Sequence, residues 1–482
     1  MLAANEGVEL AQKELVGERD RATSTAAQRI ARFSTDLEYD ALTPETVAAA
    51  KLHALDTLGC GLAGFATGDG AFVIDAATEV AAAGPATAIG FPNGLPPGEA
   101  ALVNGTLCHV LDFDDTHPDS IVHVSAAVVP AALAAGEIAA SSGREAICAL
   151  VAGNEVSTRL GMAAGGRFHA RGLHPTGVCG VFGATVTAAR LRALSAEQTT
   201  NALGIAGSMA GGLLEFLADG AKTKPLHPGW AAQAALAAVR LAAHGATGPG
   251  SVFEGRRGFF ATYLHGETPD LEGQLADLGR RFETPRIAFK PYPACHYTHA
   301  PVDALAELIA RERLTADDVE SITALSDETG VGLVLHPRAD KLAPRTPYDS
   351  KFSLPYCLAT LLVRGSVDVG SFQADAIGDP EVLELAARVD YEERAYAAAP
   401  DAFPGGVRVR TRDGRVLEAE LRNQRGGAEN PMSEAEVIGK FRANAAQALT
   451  ADAVAQLESA ILELESRPSL AGLGLLSRAE QR

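Results

Sequence analysis

A run of ionisable residues lies between two stretches that read as buried helices, and the fold has to give that run partners. Residues 104–125, NGTLCHVLDFDDTHPDSIVHVS, carry four carboxylates (Asp112, Asp114, Asp115, Asp119), three histidines (His109, His117, His123) and Thr116. Upstream, Pro97 and Glu99 suit the first turn of a helix, and 100–111 has no breaker except Gly105. On that helix Asn104, Cys108 and Asp112 would share one face at intervals of four, with Thr116 next if the helix continued. Pro118 forces the chain open near His117. Downstream, 124–140 is small and apolar enough for a buried helix kinked at Pro130. Ionisable groups between buried helices are costly unless they pair or do chemistry, so this loop is the first pointer to a site.

The surroundings are expected to be helical. Apolar residues make up 47% of the 482, but aromatics only 5%, with alanine and glycine dominant. That favours closely packed helices over a β-sandwich. Helices are expected from 23 to 33, from 43 to 62 behind a TPET cap, and over 98–113, 124–140, 143–163, 176–193, 196–217 and 228–243. Residues 65–97 read as a short helix and a loop. No fixed repeat period appears, which argues against a solenoid. Near 282 the character changes: Pro285, Pro291 and Pro293 impose extended chain, 319–325 alternates like a strand, and 407–411 and 416–421 form a hairpin around Asp413-Gly414. After 426 the chain reads as helical again. The expected fold class is mainly α: a large helical domain (23–281 and 426–482) with an inserted smaller α+β lid domain (282–425), behind a flexible extension at 1–22. A cleft at such a junction is a common place for a ligand.

A formal net charge of −19 argues against nucleic acid and anionic membranes as partners, though a local cationic pocket can still take an anionic substrate. The six cysteines are scattered with no CxxC pair, as for free thiols in a reducing compartment. The first 22 residues are charged and lack an apolar core, so no signal peptide is read, and no apolar segment is long enough for a membrane span. A soluble cytoplasmic protein is expected.

Four further stretches carry possible chemistry. In GLHPTG, Thr176 could cap a helix beginning at Pro175, while Gly177, Gly180 and Gly183 would let it approach a neighbour closely. His174 would then stand beside helix N–H groups that suit a carboxylate; the plain alternative is a core histidine. In AKTKPLHPGW, Lys222 suits solvent, whereas Lys224 could pin a carboxylate or, with a lowered pKa, act as a base. In KPYPACHYTH, the His296–His299 spacing has no third ligand nearby, so an acid–base histidine fits better than zinc. In DSKFSLPY, Lys351 lies at a helix entrance and is as readily structural as functional. A rival reading takes Asp114, Asp115 and Asp119 as the magnesium–diphosphate motif of terpene cyclases. The scarcity of aromatics and the lack of a second triad oppose it.

Taken together, LDFDDTHPDSIVHVSAAVVPA, GLHPTGVCGVFGA, KTKPLHPGWAA, FKPYPACHYTH and SKFSLPYCLA make the sequence resemble the MmgE/PrpD family, in which they occur in this order. The organisation agrees from residue 23 onward, including NPMSEAEVIGKFRANA near the C-terminus. The resemblance implies a helical domain with an α+β lid, a homodimer, and catalysis without metal or organic cofactor. It also implies catalytic roles for Asp112, His123, His174, Lys224 and His296. Thr116, His117, His227, His299 and Lys351 follow as substrate-binding candidates, with His117 competing with His123 and His299 with His296. The expected activity is that of a cofactor-independent lyase acting next to a carboxylate of a small di- or tricarboxylic acid. Dehydration of a 2-methylcitrate-like β-hydroxy acid comes first, then cis-aconitate-type decarboxylation or iminodisuccinate-type epimerisation. From another class, a helical dimer that binds a carboxylate without turnover is the alternative.

Overall fold

The computed structural model describes residues 24–80, 83–396 and 403–479, so the extension expected at 1–22 lies outside the described residues. The chain begins with helix α1 (Ala26–Asp36), started by a Thr25–Gln28 capping box, and α2 (Pro44–Ala66), where Thr43 accepts from the Thr46 N–H and Pro44 occupies the first turn. Then come α3 (Pro97–His109), α4 (Ser125–Ala139), α5 (Gly143–Ala164), α6 (Pro175–Leu191), α7 (Ala196–Ala206) and α8 (Leu226–Ala243). Helix α8 packs on α3 and α6, and α6 packs on α5.

The glycines explain how these helices come so close. A Cβ on Gly105 of α3 would lie 2.6 Å from Gly229 Cα of α8, and one on Gly183 of α6 would lie 1.9 Å from Ser157 Oγ of α5. Side chains of this size leave little slack, so the helical core holds its shape tightly.

Three expectations for this region are corrected. Helix α3 stops at His109, so Asp112 is not on its face; Asp112 instead adopts a left-handed backbone (φ 54°). Asn104 turns away from the loop and clamps the Ile89 N–H and Thr87 C=O at 2.7 and 2.8 Å. The helix expected over 196–217 ends at Ala206, and Gly212 (φ 143°) precedes a single 3-10 turn at Leu214–Leu217. Residues 65–97 hold a helix (Ala71–Val80) and then an antiparallel pair of two-residue strands, Ala86–Thr87 and Gly94–Leu95.

A second apolar core belongs to the smaller α+β part. Helix α9 (His299–Glu312) leads to β1 (Val319–Ser326), α10 (Leu354–Arg364), β2 (Val389–Glu393), β3 (Gly405–Thr411) and β4 (Val416–Leu421). The sheet order is β2-β1-β3-β4, with β1 parallel to β2 (Ile322 opposite Val389) and antiparallel to β3 (Ile322 opposite Val409). The β3–β4 hairpin turns at Gly414 (φ 89°), as Asp413-Gly414 suggests. Strand β2 has no clear signal in its sequence, because VDYEE is half-exposed and charged.

After the sheet, α11 (Glu434–Ala445) and α12 (Ala451–Leu462) return to the first core, where Phe441, Ala445 and Leu457 are buried against α2 and its neighbours. The two crossings between the parts lie side by side, since Phe289 N–H donates to Gly426 C=O at 3.0 Å. Thr116 and Ala288 exchange both backbone hydrogen bonds at 2.8–2.9 Å, so the ionisable loop is stitched to the first crossing. Among the described residues no single helix is long and apolar enough to cross a membrane.

Candidate active site

The loop between α3 and α4 holds its carboxylates in three different directions. Asp112 Oδ1 accepts from both Lys224 Nζ and Lys290 Nζ at 2.9 Å. Asp114 has both oxygens 2.9 Å from His109 Nδ1, and Oδ2 lies 3.3 Å from His123 Nδ1. Asp115 faces His53 at 2.8 Å and accepts from the Ser125 N–H. Asp119 is exposed. The three aspartates of the magnesium–diphosphate reading therefore do not converge, and that reading loses its geometry.

His123 is the pivot. Its Nδ1 lies 3.1 Å from Thr116 Oγ1, its Nε2 lies 4.0 Å from Asp112 Oδ1, and its side chain keeps 11% exposure. Its backbone N–H is held by Thr176 Oγ1 at 3.0 Å, so Thr176 does not cap α6 but fixes His123. His174 occupies the cap position with no side-chain cap bond, and its Nδ1 instead pairs with His227 Nδ1 at 2.9 Å. The rings of His109, His123 and His174 stand within 4.5–6.2 Å of one another.

The charges follow from burial set against pairing. Burial would raise the Asp112 carboxyl, but Lys224 and then Lys290 outweigh it and hold the group well below the usual carboxylate range. Burial would lower Lys224, yet Asp112 reverses this and keeps the ammonium above its ordinary value. Lys224 is therefore a fixed cation, which rules out the lowered-pKa base considered from the sequence. Burial pushes His109 and His227 down to about 4 and His174 well below its usual range, leaving neutral imidazoles at pH 7. Lys351 is lowered by burial to about 8 despite Asp112.

The remaining sequence candidates fall at different distances from this centre. Lys351 donates to Leu111 C=O at 2.7 Å. His296 and His299 stand together (ring centroids 4.8 Å), His296 stacked on Phe403 and His299 Nε2 bonded to Ala294 C=O. Burial is the main cause that holds His296 well below its usual range, with the charges of Lys290, His299 and His123 acting in the same direction. His117 does not join it: its Nε2 faces Glu283 at 3.5 Å and its Nδ1 accepts from Ser120 N–H.

A cavity of about 910 Å³ opens onto His109, Asp112, Lys224 and Lys351, with Lys222, Lys341, Arg345 and Tyr348 farther along its wall. Two trios could bring three donor atoms to one ion: His109, His123 and His174, or Asp112, Asp114 and His123. Both share His123, beside the carboxylate already neutralised by Lys224 and Lys290, and a third cation there would be repelled. The surplus of ammonium groups suits an anionic ligand better.

Sequence reasoning missed three members of the cluster. Lys290 was visible only as a lysine wedged between Phe289 and Pro291 in the same segment as His296. His109 and Asp114 were part of the ionisable run but had no assigned roles until their 2.9 Å contact was seen.

Residues 28–272 match the MmgE/PrpD N-terminal domain and residues 292–466 the MmgE/PrpD C-terminal domain. Relatives align over nearly the whole chain. The cis-aconitate decarboxylase of Mus musculus is 31% identical, with 89% of this chain and 88% of the relative covered. The human cis-aconitate decarboxylase is 30% identical, with 89% of each covered, and that of Aspergillus terreus is 26% identical over 92% of this chain and 94% of its own. The chain is thus an enzyme of the dehydratase/decarboxylase lyase type, and it belongs to the MmgE/PrpD family.

Proposed function

We propose that this enzyme decarboxylates a cis-aconitate-class tricarboxylate using its own side chains, without metal or organic cofactor. The observation that carries this reading is His123, oriented by Thr116 and Asp114, with its Nε2 turned to the Asp112–Lys224–Lys290 cluster at a cationic cavity. The full-length relatives named for this reaction support it.

In such a substrate the carboxylate on the saturated carbon leaves as CO2. The electron pair of the broken C–C bond spreads through the adjacent double bond onto a second carboxylate, forming an enediolate-like anion. A proton must then be delivered to the far carbon of that allylic system. Lys224, held protonated by Asp112, stabilises the spreading negative charge, and it does so in a buried setting where such contacts are strong. His123 carries the proton on Nε2, while Asp114 and Thr116 hold its Nδ1 and fix the ring. His109 and His174, kept neutral by burial, line the site without adding competing cations. Lys351 and the outer Lys341 and Arg345 hold the spectator carboxylate. Closure of the α+β part as a lid would bring His296 fully into the site.

Dehydration of a 2-methylcitrate-type hydroxy acid, placed first on sequence grounds, becomes the second reading. It needs the same groups, and no contact in the site favours it. The homodimer expected for the family would cover a groove where Ile138, Met209 and Trp230 stand exposed, and sedimentation at twice the chain mass tests it.

The functional test is proton NMR of purified enzyme in D2O with EDTA, offered cis-aconitate, 2-methylcitrate, citrate and iminodisuccinate in turn. Loss of CO2 from cis-aconitate with one deuterium in the product is the expected result. Alkene formation from 2-methylcitrate without CO2 would move the enzyme to the dehydratase branch. Activity abolished by EDTA and restored by magnesium would overturn the cofactor-independent mechanism.

A further inference from the structure

Three lysines from three parts of the chain hold three successive carbonyls of the catalytic loop. Lys351 Nζ donates to Leu111 C=O at 2.7 Å, Lys290 Nζ to Asp112 C=O at 2.9 Å, and Lys440 Nζ to Phe113 C=O at 2.7 Å. The first two have work at the site, since Lys351 lines the cavity and Lys290 shares Asp112 with Lys224. Lys440 has none. It comes from α11, does not line the cavity, and is buried with its side chain 5% exposed.

Its partners show what it does. Asp56 of α2, fully buried, lies 2.8 Å and 3.0 Å away through its two oxygens, and the Phe113 ring sits 3.9 Å beneath the ammonium. A buried ion pair is a poor way to join two helices, because an apolar pair of similar volume does so at least as well. These helices already join through apolar contact: a Cβ on Gly59 would lie 3.0 Å from the Phe441 ring. The pair's distinctive product is an ammonium fixed at one carbonyl of the loop. That carbonyl lies between Asp112, whose left-handed backbone (φ 54°) is unfavourable for a residue with a side chain, and Asp114, which orients both His109 and His123.

We propose that Lys440, held charged and in place by Asp56, is a positioning residue of the lyase site. Through Phe113 C=O it sets the direction of the Phe113–Asp114 peptide, and so the aim of Asp112 at its lysines and of Asp114 at the two imidazoles. It touches no substrate. The assignment goes beyond the proposed reaction and holds for any chemistry run by the Asp114-oriented histidines.

The test compares Lys440→Met, the double variant Asp56→Asn/Lys440→Met, which removes the orphaned buried carboxylate, and Arg442→Met on the exposed side of the same helix, where Arg442 pairs with Glu458. Circular dichroism and thermal melting establish which variants are folded. Both Lys440 variants should lose kcat roughly 10- to 100-fold with KM changed less than about threefold, as for misaimed groups rather than lost binding. Arg442→Met should match the wild type. Long-range 1H–15N correlation of 15N-histidine-labelled protein, without substrate, should show a protonated Nδ1 on His109 and on His123 in the wild type and its loss in the folded double variant. A folded double variant with kcat within about twofold of wild type and unchanged imidazole signals overturns the proposal. If the wild type fails to turn over cis-aconitate, the proposed reaction falls, while the imidazole comparison still decides the role of Lys440.

Discussion

The two parts that meet at the cavity bring different chemistry to it. The helical part supplies Asp112, Asp114, His109, His123 and His174, clamped on helices or on the loop between them and packed through glycine contacts. Lys224 is the helical part's cation on Asp112. The α+β part and its leading segment supply Lys290, Lys351, Lys341 and Arg345, together with His296 and His299. The proposed mechanism places proton transfer on the side whose geometry is fixed most tightly, and charge recognition on the side whose long side chains tolerate small shifts. A tightly packed face suits a reaction sensitive to fractions of an ångström. A lysine-rich face suits carboxylates that only need holding.

The sharpest way to break this division is Lys224→Ala. Turnover should fall by at least roughly 10³-fold with circular dichroism unchanged, because the fixed cation opposite the developing anion is gone. Near-normal activity would remove Lys224 from the mechanism. His123→Asn should follow, lowering kcat about 10²- to 10³-fold with little change in KM, read by steady-state kinetics. On the other face, Lys351→Met should raise KM roughly tenfold while kcat holds, as expected for an interaction equal in ground and transition states. In the wild type, substrate binding should weaken as pH rises through about 8, where the buried Lys351 ammonium loses its proton, and this limb should vanish in Lys351→Met. If Lys351→Met lowers kcat instead, the division between the faces fails.

Stability changes should be smaller and come from the helical face. Gly183→Ala forces a Cβ towards Ser157 Oγ and Gly153 C=O, and should cost about 1–3 kcal/mol in denaturant melts. His109 and His227 have folded pKa values near 4 against about 6.5 when unfolded. Between those values the unfolded chain binds more protons, so stability is full above about pH 6.5 and is lost as pH falls towards 4. Melting temperatures across that window give the measurement; a flat profile would mean these imidazoles are not buried neutral.

Much of this molecule was legible before the structure. Breaker spacing, caps and small residues mark the long helices, because those signals are local. The hairpin at Asp413-Gly414 is local too. Strand β2 was not legible, since a short charged edge strand is defined by its parallel neighbour β1 rather than by its own pattern. At the site, the ionisable run between 104 and 125 announced itself, but a count of carboxylates cannot tell which way each one points. Asp114 and Asp115 are adjacent in sequence and serve different histidines, His109 with His123 and His53. Lys440 was out of reach, because its partner Asp56 lies 384 residues away and neither belongs to a motif with chemistry of its own.

The hydrogen bond between Phe289 and Gly426 brings both ends of the α+β part to one place. The 136 residues between them start and finish at that contact, while Lys290 and Lys351 reach back from within them to the carbonyls of Asp112 and Leu111. A segment from another member of the family, joined at the same two positions, would bring its own side chains to the cavity wall, and it would have to keep lysines in the places of Lys290 and Lys351 to leave Asp112 and its loop as they are. Chimaeras cut at this seam that retain those two lysines would show how far substrate range travels with the α+β part.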